Sequence, residues 1–445
     1  MRKISRREFI KGLGGLGIGA LGGGALLSCV RREQAPPVAG QMTIELTEGE
    51  DYLRLEGGGV RCLGCLNRCI IEEGGRGICG ERGNREGKLF SFEAEPPEGL
   101  KEAMWYRRLG NRQVQCQLCF RECLIPKGGR GFCRVRENRE GRLYSLVYGE
   151  PCSLPVDPIE LEPMYHMFPG HRNLCVATAS CNFRCKHCQN WQITQRFPEE
   201  ITSYPHSPEE IVERAMEFGC LSISHSINEP IVFYEYMLEI VKAAKERGER
   251  REERGEGKLL TLFHTNGSLN PDPLRELLQY MDGVTVDLKG FTDEFYERVS
   301  SAELEPVLRT LSIIKEEGVH LEIVNLVIPT LNDDLGDMGR MCEWIKKNLG
   351  TDVPLHFTRF FPRYKMTHLP STPIETLERA REIALEAGLK YVYIGNVPGH
   401  AANSTYCPKC GRRLIHRIHC TVLKNDAVGG RCKFCGERIP GVWEI

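Results

Sequence analysis

Charge of one sign is what this 445-residue chain lacks. Its 59 Lys and Arg stand against 60 Asp and Glu, a formal net charge of −1 at pH 7. A surface so balanced sets up no field strong enough to draw the whole chain onto nucleic acid or an anionic membrane. No nucleic-acid partner is therefore expected. Long apolar runs are scarce too. The uncharged stretch Gly12 to Ser28 has 17 residues, eight of them glycine. It is too short and too weakly apolar for a membrane-crossing helix. What remains is an ordinary globular composition, 41% hydrophobic, with length for two or three domains and a large core.

Cysteine, by contrast, is abundant. Of 21 cysteines, fifteen fall into four tight sets: Cys62, Cys65, Cys69, Cys79; Cys116, Cys119, Cys123, Cys133; Cys181, Cys185, Cys188; and Cys407, Cys410, Cys432, Cys435. Clustered C-x2-C pairs in a chain this long favour metals over disulfides. The other six, at 29, 152, 175, 220, 342 and 420, are scattered and read mostly as small buried hydrophobes.

The set of three organises the chain. It lies in Ala179-Ser180-Cys181-Asn182-Phe183-Arg184-Cys185-Lys186-His187-Cys188-Gln189-Asn190-Trp191 as C-x3-C-x2-C, and the next cysteine is Cys220. Three thiolates from one short loop can grip three irons of a [4Fe–4S] cube, which ordinarily takes four. The fourth iron stays open, and an open position on a metal marks chemistry rather than structure. The alternative is a zinc loop short of one ligand. Leu174, Val176 and Ala177 just before the loop read as a barrel strand and weigh against it.

From about Arg172 to His400, apolar strands alternate with helical patterns, so the fold class is α/β with parallel βα units. Strands are expected at 220–226, 259–264, 284–288, 321–328, 355–360 and 391–394, after the one that leads into the cysteine loop. Helices are expected at 231–247, 273–280, 307–317, 338–348 and 374–387. Catalytic residues of such barrels sit at the C-terminal ends of the strands.

The run from Cys181 to Trp191 resembles the radical S-adenosylmethionine (SAM) superfamily. More narrowly, it is similar to the radical SAM member of the AmmeMemoRadiSam system, a relative of the pyruvate formate-lyase-activating enzymes. The resemblance implies a partial (βα)6 barrel. It also implies a [4Fe–4S] cluster on Cys181, Cys185 and Cys188 whose open iron chelates SAM. One electron then cleaves SAM to methionine and a 5′-deoxyadenosyl radical. Asn228-Glu229-Pro230 stands where activating enzymes carry a Gly-Gly-Glu-Pro-like turn beside the SAM amino group, here without the glycines. Thr265-Asn266-Gly267 and Asp287-Leu288-Lys289 match strand-end signatures of those enzymes. By that resemblance Asn266 joins the cofactor site, and Asp287 and Lys289 contact the ribose and carboxylate of SAM. His187 and Gln189 flank the last cluster ligand and are candidates for the nucleoside. His356, Thr358 and Arg359 are weaker candidates, and His356 reads better as a satisfied core residue. The kinship implies a flavodoxin- or ferredoxin-like electron donor and a protein substrate. Modification of a small molecule or RNA, and an exported electron carrier without SAM turnover, are the alternatives.

Cys62 to Ser91 and Cys116 to Ser145 align without a gap at an offset of 54, with sixteen of thirty positions identical. Both read C-x2-C-x3-C-x9-C and then Arg-x-Asn-Arg-Glu-Gly, a duplicated cysteine-rich module. Glycines before each fourth cysteine permit the left-handed turns that wrap backbone around an ion or cluster. Four thiolates can hold one zinc or one [4Fe–4S] cluster; disulfides are the third possibility. Near the C-terminus, Cys407-x2-Cys410 and Cys432-x2-Cys435 have the spacing of a structural zinc ribbon.

At the N-terminus, Ser5-Arg6-Arg7-Glu8-Phe9-Ile10-Lys11 is similar to a twin-arginine export signal, and Leu26-Leu27-Ser28-Cys29 to a lipobox. Export, with membrane attachment through a lipid on Cys29, is the expectation; a cytoplasmic chain follows if that reading fails. The expected domains are a signal over 1–29, a linker over 30–58, modules over 59–111 and 112–154, the barrel over 155–400 and the ribbon over 401–445.

Overall fold

Seven apolar strands running the same way set the architecture. In this computed structural model the described residues are 46–48, 52–63, 69–77, 82–92, 99–252 and 258–443. The expected export signal, Arg6, Arg7, Cys29, Cys65 and Cys79 lie outside them.

The central sheet has eight strands in chain order: β1 (Val156–Pro158), β2 (Arg172–Val176), β3 (Ser222–His225), β4 (Leu260–Thr265), β5 (Gly283–Asp287), β6 (His320–Val327), β7 (Leu355–Arg359) and β8 (Val392–Gly395). From β2 to β8 every pairing is parallel, while β1 lies antiparallel to β2 with Val156 opposite Leu174. Parallel strands need crossovers. These are α1 (Pro208–Glu217), α2 (Tyr234–Glu252), α3 (Pro271–Leu278), α4 (Leu304–Glu316), α5 (Leu335–Leu349) and α6 (Ile374–Glu386). Helices cover one face and the barrel interior the other, so β3 is buried at all four positions.

Two features differ from expectation. The resemblance implies six parallel strands, and seven are present. Val392, Tyr393 and Ile394 are buried, and β8 continues the sheet by pairing with β7 from Leu355–Val392 to Thr358–Gly395. The helix α1 was not expected. Ser207 caps it: its Oγ accepts from the Glu210 N–H at 3.2 Å, while the Glu210 carboxylate accepts the Ser207 N–H at 2.7 Å. Ile211, Val212 and Ala215 form its buried face.

The two cysteine-rich segments fold in the same register, 54 residues apart. Tyr52–Arg54, Val60–Cys62 and Ile70–Ile71 make one small sheet; Tyr106–Arg108, Val114–Cys116 and Leu124–Ile125 make its counterpart. Tyr52 pairs with Cys62 as Tyr106 pairs with Cys116. A hairpin follows in each, Arg82–Arg85 with Lys88–Phe92 and Arg136–Arg139 with Arg142–Ser145. Gly74 and Gly128, at φ 74° and 75°, turn the chain where a side chain would be strained. Asn84 and Asn138 tie the halves together, each donating through Nδ2 to two backbone carbonyls at 2.8 Å. Each module thus begins before its expected boundary. The linker expected over 30–58 carries strands at Leu46–Glu48 and Tyr52–Arg54, because the cysteine strands need partners.

At the other end, Arg413–Ile418 pairs with Thr405–Tyr406 and Thr421–Asn425. Arg417 is fully buried there, donating to the Tyr165 carbonyl at 2.7 Å and Thr405 Oγ1 at 2.8 Å, and lying 3.3 Å from the Glu160 carboxylate. Leu414, Ile415 and Ile439 share a core with Tyr165, Tyr391 and Tyr393. These contacts fall at the start of β8 and ahead of β2, so the C-terminal domain packs under the N-terminal ends of the strands.

Candidate active site

The loop that follows β2 is held at both of its ends. Asn228, beyond β3, accepts the Thr178 N–H at 3.1 Å and donates to the Ser180 carbonyl at 3.0 Å. Ser180 sits at φ 74°, and its N–H bonds the Ile193 carbonyl at 2.8 Å. Farther along, the Arg184 and Lys186 N–H groups both bond at 2.9 Å to carbonyls of the π-helical turn Tyr296–Ser300. This pinning fixes Cys181 and Cys185, both buried, with Cys188 half-buried. The Phe183 N–H points at Cys181 Sγ from 3.3 Å, and Thr194 Oγ1 lies 3.1 Å from Cys188 Sγ.

Side chains from three more strand ends converge on this loop. Asn182 donates to Ser268 Oγ at 2.8 Å and its Oδ1 accepts from Asn266 Nδ2 at 2.9 Å. Glu229 accepts from Thr265 Oγ1 and from the Asn266 N–H, both at 2.7 Å. Burial pushes the Glu229 carboxyl up to about 7, with those bonds opposing. Lys289 Nζ lies 2.7 Å from Asp287 Oδ2. Burial opposes the charge on Lys289, but Asp287 outweighs it and holds the ammonium above its ordinary value. Burial, with Lys289 beside it, drives the His187 imidazole down to about 3, so the ring is neutral.

Asp287 and Lys289, two residues apart, pair with each other, and the structure adds two residues behind them. His264 Nε2 is 3.1 Å from Asp287 Oδ1, and His264 Nδ1 is 3.7 Å from Glu162 Oε2. Burial disfavours the imidazolium, yet Asp287 and Glu162 raise His264 to about 10. A row of alternating charge, Glu162–His264–Asp287–Lys289, therefore runs from the barrel interior to the end of β5. Neither His264 nor Glu162 was expected. The usable signal was weak: His264 directly precedes Thr265-Asn266-Gly267.

Not every expected residue joins. Gln189 is exposed. His356 bonds Glu322 at 2.7 Å and is buried in the barrel interior, as a core histidine. The residues present do suit a polar cofactor beside a metal cluster. His187 Nδ1 and Asn266 Oδ1 are buried atoms with no hydrogen-bond partner, and an orphaned buried polar atom is costly unless a ligand meets it.

The remaining cysteine sets differ in spacing. Cys407 and Cys435 Sγ are 3.6 Å apart, Cys410 and Cys432 Sγ 3.8 Å. Among the described residues these four form the group of metal-ligating side chains whose donor atoms all lie within 4.8 Å of one another. Cys116, Cys119, Cys123 and Cys133 instead line one cavity together with Arg121, Arg136, Asn182, Ile231 and Val232. In the first module, Cys62 is buried and Cys69 half-buried.

The radical SAM superfamily model matches residues 175–342. An uncharacterized protein of Methanocaldococcus jannaschii is 45% identical over 342 residues, covering 76% of this chain and 99% of its own. A pyruvate formate-lyase-activating enzyme of Clostridium pasteurianum is 23% identical over 237 residues, 50% of this chain and 91% of that enzyme. Among solved structures, a radical SAM methyltransferase from Sphaerobacter thermophilus aligns at 15% identity and a TM-score of 0.40, over 56% of this chain and 71% of that one.

Proposed function

Because the chain belongs to the radical SAM superfamily, we propose that it is an activase-like enzyme that reductively cleaves SAM and acts on a protein substrate. One observation carries the reading. Cys181, Cys185 and Cys188 sit on one pinned loop, and Glu229, Asn266, Asp287 and Lys289 reach it from the ends of β3, β4 and β5. When bound, a [4Fe–4S] cluster and SAM would supply the electron and the 5′-deoxyadenosyl radical that takes a hydrogen atom from substrate.

The chain's own residues do the positioning. Glu229 keeps unused lone pairs beyond its bonds to Thr265 and Asn266, and these suit the amino group of SAM. Lys289, locked by Asp287, offers an ammonium to a carboxylate. His264 and Glu162 hold Asp287 ionised and oriented from behind. Asn266 Oδ1 provides a neutral acceptor, and His187 Nδ1 an unpaired ring nitrogen in the site. A low-potential carrier of flavodoxin or ferredoxin type would supply electrons. Anaerobic reconstitution tests this. The wild type should form 5′-deoxyadenosine from SAM, and the Cys181→Ala/Cys185→Ala/Cys188→Ala variant should form none; product from that variant would refute the assignment.

We also assign zinc to the C-terminal ribbon. Four sulfurs about 2.3 Å from one tetrahedral ion lie about 3.8 Å from one another, and the observed separations of 3.6 and 3.8 Å match. Metal analysis of the full chain should find zinc that is lost in Cys407→Ala/Cys410→Ala while the visible absorbance of iron–sulfur clusters persists. Equal zinc in that variant would overturn the assignment.

A further inference from the structure

We propose that Cys116, Cys119, Cys123 and Cys133 hold a second [4Fe–4S] cluster, set against the loop of Cys181, Cys185 and Cys188, through which reducing electrons enter. The composition of this set left zinc and iron–sulfur equally open. Three observations now separate them.

The first is spacing. The ribbon cysteines have drawn together to the separation one ion requires. The module cysteines, in the same chain, do not close to 4.8 Å and surround a cavity instead. A cube of four irons holds its thiolates farther apart than a single ion does, so the open arrangement suits a cluster.

The second is charge. A [4Fe–4S] cube with four thiolates is anionic, and two guanidinium groups line this cavity. Arg136 is almost fully buried, donates to Cys116 Sγ at 3.2 Å and pairs with the buried carboxylate of Glu235. Arg121, which stands between Cys119 and Cys123 in the chain, lines the same wall. Apolar Leu118, Ile125, Ile231 and Val232 complete the wall, and a low-dielectric wall strengthens both attractions.

The third is position. Arg121 Nε donates to the Asn182 carbonyl at 2.8 Å, and Ser180 Oγ donates to the Cys133 carbonyl at 2.7 Å. Asn182 itself lines the module cavity while standing between Cys181 and Phe183 in the other loop. The two sets therefore meet through Asn182, Ser180 and Arg121. Three of the four module cysteines, Cys119, Cys123 and Cys133, are half-buried, against Cys188 alone of the other three, so the module offers a carrier protein the more exposed side. Four thiolates leave no open iron, which restricts this cluster to carrying electrons. It would take one electron from a reduced low-potential carrier of flavodoxin or ferredoxin class and pass the same electron to the neighbouring site. No bond forms or breaks, and no proton is needed.

The electron-entry role rests on the function proposed above; the cluster itself does not. Full-length protein purified anaerobically and reduced with dithionite should show two kinds of paramagnetic signal, one shifted by added SAM and one not. Iron lost from wild type to Cys119→Ala/Cys133→Ala should be about four per chain, together with a SAM-insensitive signal. Zinc lost instead of iron would overturn the proposal, as would unchanged iron. The Cys181→Ala/Cys185→Ala/Cys188→Ala variant gives a second measurement: it should keep the SAM-insensitive signal, and its absence there also counts against the site. Arg121→Met, which leaves every thiolate in place, should move the midpoint potential of the SAM-insensitive signal to lower values; an unmoved potential would refute the charge argument. If SAM shifts no signal at all, the proposed function fails while the module cluster stands.

Discussion

The two cysteine-rich modules share a register and differ in what they hold on to. Each uses an asparagine, Asn84 or Asn138, to staple its loops, and each turns at a left-handed glycine. The second is bound to the barrel. Arg136 pairs with Glu235 on α2, and the Met104 N–H bonds the same carboxylate at 2.7 Å. Trp105 Nε1 reaches Glu276 at 3.1 Å. Phe120 meets Phe183 edge-on at 6.1 Å between ring centres, Arg121 stacks on Phe132, and Arg134 reaches the Gln195 carbonyl at 2.6 Å. At the matching positions the first module has Leu66 for Phe120, Asn67 for Arg121, Ile78 for Phe132 and Gly80 for Arg134. The residues that fold a module are common to both copies, and so is the arginine of the buried pair, Arg82 for Arg136, whereas Phe120, Arg121, Phe132 and Arg134, which also dock the second module, have no like in the first. Folding and most of the docking are thus written in separate positions of one thirty-residue pattern.

The strongest way to break that comparison is at the buried pair. Glu235→Gln strands Arg136 without its counter-charge, at an expected cost of about 3–5 kcal/mol in unfolding free energy. Arg82→Gln, at the matching place in the first module, should cost under about 1 kcal/mol. Denaturant titration of both variants decides; equal losses would mean that the modules are held alike. A smaller effect is expected from writing first-module residues into the second. Phe120→Leu/Arg121→Asn removes an aromatic contact and charge-assisted bonds, and should cost about 2–3 kcal/mol. It should also make the loop around Phe132 a site of proteolysis, seen as a new fragment in limited digestion, while the module keeps its own hairpin.

The smallest effect is one of pH. Neither module contains a histidine, whereas burial in the barrel holds His166 and His225 down to about 4. Between that value and the ordinary 6.5 the unfolded chain binds more protons than the native one. The contribution of these rings is therefore complete above pH 6.5 and is lost as pH falls toward 4. Going from pH 7 to pH 6 should weaken the barrel by somewhat under about 1 kcal/mol for each such ring, His187 included, with His264 and Glu229, whose values are raised, acting in the opposite direction, and should leave local opening of the modules unchanged. Hydrogen exchange read peptide by peptide separates the two; parallel loss in modules and barrel would contradict the account.

Much of this was legible in the sequence because the informative residues are neighbours there. The three-cysteine loop, both C-x2-C pairs of the ribbon and the 54-residue offset need no folding to be seen. The parallel strands were legible as apolar runs, β8 included, although the resemblance counted one fewer. What stayed hidden depends on topology. His264 and Glu162 join Asp287 only once β4 lies beside β5 and the segment before β2 folds beneath them. Arg136 and Glu235 are 99 residues apart. The helix α1 was not expected, although Ser207 and Glu210 have the spacing of a capping box and Ile211, Val212 and Ala215 that of a buried face. Module boundaries were set too late because their first strands are only two or three residues long.

Arg417 has a consequence in time. It is made 257 residues after Glu160, the carboxylate it neutralises. At about 5–20 residues per second of synthesis, the interval is roughly ten to fifty seconds. For that long Glu160 has no arginine to meet, and the floor beneath β2 cannot seal, even though every barrel strand up to β8 has by then emerged in the order in which it pairs. The ribosome therefore delivers the barrel before its clasp, and the cysteine loop at the opposite end waits on a scaffold still open from below.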